Sequence, residues 1–130
     1  VVFHNSDSIR HHVYSFSPLH PFEMVQASGE MSSPMLFDKP GVVAIGCNIH
    51  DQMAAYVYVT EAPFAAATDS AGKAVIADVP VGNFVATFWH PRLRAGTVPP
   101  ERAFEIGASD SSFSVTLSVA PARRARPRDY

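Results

Sequence analysis

One cysteine among 130 residues excludes any disulfide within the chain. Cys47 is therefore an inert buried thiol, an intermolecular link, or a thiolate that serves a metal or a reaction. Long hydrophobic runs are missing too, since no stretch approaches the ~18 to 20 uninterrupted apolar residues of a membrane-spanning helix. Nor does charge of one sign dominate. Ten Lys and Arg against twelve Asp and Glu leave a formal charge of -2, which points to neither nucleic acid nor an acidic membrane. The local exception is Arg123, Arg124, Arg126 and Arg128, read as a disordered, solvated basic tail over 121–130. Helical periodicity is absent as well: no segment sustains apolar spacing over ten or more residues.

What is present is enough apolar content, 47%, to bury a real core in one domain, or in one domain with a small appendage. Short apolar runs broken by Pro, Gly and Ser predict an all-β chain, with strands over 1–5, 12–17, 35–37, 41–47, 54–60, 74–79, 83–90 and 112–119. Turn residues separate them at Ser17-Pro18, Asp38-Lys39-Pro40-Gly41, Asp69-Ser70-Ala71-Gly72, Pro80-Val81-Gly82 and Val98-Pro99-Pro100. Alternation puts Val43, Ile45 and Cys47 on one face, so Cys47 projects toward the core at a strand end. In the following strand Ala55, Val57 and Val59 point one way and Tyr56 and Tyr58 the other.

Between these two strands lies Cys47-Asn48-Ile49-His50-Asp51-Gln52-Met53, a thiol, an imidazole and a thioether with two residues between each. Soft sulfur ligands with imidazole select copper, and Cys with two His and a weak axial Met is the ligand set of electron-transfer copper sites. A tight loop between paired strands brings three side chains around one point with little freedom to rearrange. A fourth ligand must come from elsewhere, and His11 and His12 stand just before a strand. Zinc is the rival metal, but methionine is a poor zinc ligand, so Met53 argues for copper. Cysteine-nucleophile catalysis needs a base and an oxyanion site. His50 is near in sequence, yet no Gly-rich turn or helix start follows Cys47. His4, His20 and His90 have no spaced partners and read as surface or packing residues.

Asn5, Asp7 and His11 in an Asn-x-Asp-x-x-x-His phrase, the run His11-His12-Val13-Tyr14-Ser15-Phe16-Ser17, and Phe37-Asp38-Lys39-Pro40-Gly41 leading to Cys47 carry a resemblance. Over residues 1–60 the chain resembles the cupredoxins, the blue-copper family of plastocyanin, azurin and amicyanin. It is most similar to cupredoxin-domain proteins of methylamine utilisation, and its Cys-x-x-His-x-x-Met spacing is similar to that of amicyanin. The resemblance implies a Greek-key β-sandwich holding one type 1 copper ion through His11, Cys47, His50 and Met53. It also implies a role as a one-electron carrier rather than an enzyme, with a c-type cytochrome or quinoprotein dehydrogenase as redox partner. A periplasmic or otherwise exported location follows, and the start at Val1-Val2-Phe3 without Met suits a processed protein or an excised piece.

Two choices stay open within that expectation. The Asp-Ser-x-x-His phrase favours His11 as ligand, whereas alternation aligns His12 with Tyr14 and Phe16 and favours His12. In the family the residue after this histidine is often an Asn that supports the site, and His12 stands in its place. A full sandwich needs about seven or eight strands, so either strands upstream are missing or the second half supplies them. Residues 61–120 are expected to add β strands. There, Asp69 to Gly72 as a turn, the apolar alternation after it and Pro80-x-Gly82 resemble carboxypeptidase-regulatory, immunoglobulin-like modules, with Trp89 as a packing residue. Two other functions fit the same loop: a module that delivers or stores copper, and a non-redox β-sandwich interaction module.

Overall fold

The computed structural model describes residues 1–48, 53–94 and 96–121. The chain divides into two compact units, Val1–Pro63 and Phe64–Tyr130. Among the described residues it is all-β: six strands form two antiparallel sheets, and no helix occurs.

The first unit carries β1 (His11–Ser15), β2 (Phe22–Gln26), β3 (Gly41–Cys47) and β4 (Ala54–Val59), hydrogen-bonded in the order β2-β1-β3-β4. As alternation predicts, Val43, Ile45 and Cys47 share the buried face of β3, while Tyr56 and Tyr58 of β4 are exposed. The inner face is only partly apolar. Asn5, His11, Ser15 and Gln26 are buried beside those three side chains, and no buried side-chain nitrogen or oxygen among the described residues lacks a hydrogen-bond partner. Buried polar groups persist only when they are paired in this way. Close packing also explains Gly46, because a Cβ there would lie 2.9 Å from Cζ and Oη of Tyr14, whose ring crosses it from the paired position on β1.

Two strands were not legible. In β2, Glu23 and Gln26 interrupt an apolar pattern too short to read, and its pairing with all five residues of β1 supplies what its side chains do not announce. β6 (Glu101–Ile106) is likewise half charged and pairs with β5 (Gly82–Thr87) in the second unit. Rings hold that ribbon: Phe84 stacks on Phe104 at 5.9 Å between centroids, and Phe104 meets Phe113 at 5.0 Å.

Four expected strands form no ladder. Segment 1–5 does lie extended against 29–35, with Ser32 N–H donating to Phe3 O and Met35 N–H to Val1 O. It reaches only an isolated bridge, His4 with Met31, because the Phe3 N–H donates to the Ser32 hydroxyl instead of a carbonyl. Segment 35–37 follows that pairing without forming its own ladder. In 74–79 the backbone turns left-handed at Asp78, φ 58°, a conformation no strand sustains. In 112–119 the Ser114 carbonyl accepts from the Arg102 guanidinium at 2.7 Å rather than from a neighbouring strand.

Candidate metal centre

The register of β1 and β3 decides which histidine meets the cysteine. Val13 pairs with Cys47, so His11, two residues before Val13, lies on the same face as Cys47 and diagonal to it. Both side chains are buried, and His11 Nδ1 stands 3.5 Å from Cys47 Sγ. The other ring nitrogen, Nε2, donates to Asp7 Oδ2 at 2.7 Å, which leaves Nδ1 turned to the sulfur. The His11 pKa is raised above its ordinary 6.5, first by the hydrogen bond with Cys47 and then by that with Asp7, while burial opposes both.

Asp7 is itself held by construction. Asn5 is buried, and its Nδ2 is shared among the carbonyls of Ile9, Gln26 and Ala27 at 2.8, 3.2 and 3.0 Å. Its Oδ1 accepts the Asp7 N–H at 3.0 Å, and the Ser28 hydroxyl donates to the Asp7 carbonyl at 2.7 Å. Gln26, directly opposite His11 on β2, donates from Nε2 to Phe3 O at 3.0 Å. The chain before β1 is thus pinned by Asn5, and the pinning aims a carboxylate at His11.

His11, Cys47, Met53, Asn5 and Asp7 line one pocket of about 410 Å³. Met53 is 46% exposed, so its thioether is not part of the packed interior. His50, with Ile49, Asp51 and Gln52, lies outside the described residues. Among the described residues no three His, Cys, Asp or Glu side chains gather around one point. What the pocket brings together is the His11 imidazole, the Cys47 thiol and the Met53 thioether, with His4 also on its border. His12 points to the opposite face, where it meets Glu23 and Asn48, and is not beside Cys47. Alignment with Tyr14 and Phe16 misleads because that face is the outer one, with Phe16 79% exposed.

The donor set fits a transition metal. Nitrogen and thiolate ligands lie about 2.0 to 2.3 Å from zinc, which puts two of them roughly 3 to 4 Å apart around one small ion. The 3.5 Å between His11 Nδ1 and Cys47 Sγ falls within that span. A ligand imidazole whose far N–H is held by a carboxylate is the outer arrangement that orients such ligands, and Asp7 supplies it. Of the remaining histidines, His20 packs its ring on Phe37 with 4.2 Å between centroids, and His90 Nδ1 accepts the Arg92 N–H. His4 borders the same pocket as His11.

Compared with known proteins, the chain matches no family model, no curated protein and no solved structure.

Proposed function

We propose that this protein is a type 1 copper protein of cupredoxin kind that carries one electron at a time. The observation that carries this reading is the buried pair of His11 Nδ1 and Cys47 Sγ, 3.5 Å apart with Asp7 behind the imidazole. His11, Cys47, His50 and Met53 would hold the ion, the thiolate and imidazoles tightly and the thioether weakly. Copper bound there supplies a one-electron couple. The chain's part is to keep the ligands still: β1 and β3 fix His11 and Cys47 on one face, the Asn5 network fixes Asp7, and burial keeps water from the thiol. A Greek-key sandwich, an exported location and a cytochrome or quinoprotein dehydrogenase as electron partner belong to the same proposal, on the strength of the cupredoxin-like motifs.

Reconstitution with Cu(II) tests it. An intense copper-thiolate absorption near about 600 nm with reversible one-electron cycling is the expected result. A tight Cu(I) complex without a stable coloured cupric state would instead indicate delivery or storage, and no uptake would leave an interaction module.

One observation favours a second reading. Cys47, His11 and Asp7 also form the order nucleophile, base and orienting carboxylate of a thiol hydrolase, with His11 rather than His50 as the base. The exposed Met53 at the pocket wall fits copper better, since thiol hydrolysis has no use for a thioether. Stoichiometric acylation of Cys47 by a thioester in metal-free protein, followed by turnover, would select the hydrolase.

A further inference from the structure

We infer that His12 is a positioning residue that clasps Asn48, the first residue after Cys47, to β1 and thereby restrains Cys47. The consequence for copper rests on the reading above, whereas the clasp is a property of the metal-free chain.

His12 and Asn48 stand opposite one another, one step beyond the Val13 and Cys47 pair. Asn48 N–H donates to His12 O at 3.1 Å, so the β1 and β3 ladder runs past the end of β3. On the outer face Asn48 Nδ2 donates to His12 Nδ1 at 3.0 Å. The far side of the same ring, Nε2, lies 2.5 Å from Glu23 Oε1 on β2. Both contacts demand one tautomer. A carboxylate at Nε2 requires the proton there, and an amide donor at Nδ1 requires a lone pair.

The two adjacent histidines are thus built alike on opposite faces. Each gives Nε2–H to a carboxylate, Asp7 or Glu23, and turns Nδ1 to residue 47 or 48. Asn48 itself is exposed and heads the segment that leads to His50 and Met53. Water competes for an exposed backbone bond, and a second, side-chain bond from a ring held in one tautomer resists that competition. Cys47, one residue before, inherits the restraint.

Two substitutions separate the clasp from general packing. His12→Asn places an amide oxygen where Nδ1 stands and keeps an acceptor for Asn48, while losing Glu23. His12→Gln carries its amide out to the Nε2 position, keeps Glu23 and loses the acceptor. In metal-free protein, hydrogen exchange at the Asn48 amide is expected to quicken at least about tenfold in His12→Gln and to stay near wild type in His12→Asn. In copper-loaded protein, His12→Gln is expected to weaken copper binding about 10- to 100-fold and to shift the reduction potential, while His12→Asn restores both. Equal behaviour of the two variants in exchange, or wild-type exchange in His12→Gln, overturns the inference. Equal copper affinity and potential in both variants also overturns it and leaves the copper reading standing. The exchange pattern without any copper uptake by wild type upholds the clasp and removes the copper reading.

Discussion

His11 and Cys47 face one another at 3.5 Å from strands whose register sets them diagonally on one buried face. Neither group is replaceable if they hold copper together. Cys47→Ser is expected to abolish the absorption near about 600 nm, because the colour belongs to the copper-thiolate bond. An unchanged spectrum in that variant would end the proposal.

Met53 lines the pocket and is 46% exposed, and under the copper reading it is the weak axial ligand that tunes the site without building it. Met53→Leu is expected to keep the colour and raise the reduction potential, as voltammetry on the reconstituted protein would show. Loss of colour would move Met53 from tuning to primary ligation.

Asp7 fixes the His11 ring from behind at 2.7 Å. Asp7→Asn exchanges a charged acceptor for a neutral one and is expected to weaken copper binding by about 10-fold or more. Competition with a copper chelator measures it. Affinity within about twofold of wild type would assign Asp7 to packing alone.

In metal-free protein the raised His11 pKa means that the folded state holds a proton more tightly than the unfolded chain. The stabilisation is complete below the ordinary value of 6.5 and fades as pH rises through the folded value. Urea midpoints are therefore expected to fall as pH rises above the ordinary value of 6.5, and His11→Ala is expected to flatten that slope. Copper affinity should run the opposite way, because metal and proton compete for Nδ1.

Asn5 gathers three carbonyls and one N–H on a single buried amide. Asn5→Ala strands those acceptors and is expected to cost about 2 to 3 kcal/mol by denaturant unfolding. Copper affinity should drop with it, since Asp7 loses its anchor.

The two strands that flank the segment from Cys47 to Met53 were readable for one reason. Gly41 to Cys47 and Ala54 to Val59 alternate cleanly, and the structure returns β3 with the bounds 41–47 and β4 to within a residue of those read from alternation. The choice between His11 and His12 was not readable, because both faces of β1 carry large side chains and only pairing with β3 says which face is inner. The contacts of Glu23 and Asn48 were hidden for the same reason. Each lies on a strand or strand end whose role depends on its neighbour's register, and β2 itself carries too much polarity to announce a strand. In the second unit 74–79 is apolar without burying a face, Val75 being 87% and Ile76 47% exposed, and its backbone turns left-handed at Asp78.

Two adjacent histidines with opposite orientations also make pairing errors visible. Were β1 to slip by one residue against β3, every side chain would change face, and His12 would meet the thiol in place of His11. That ring would arrive without Asp7 behind it, and Asn48 would lose its acceptor on the outer face. A misregistered chain would thus be poorer at both tasks together, so under the copper reading the colour of the loaded protein doubles as a readout of correctly paired chains during refolding.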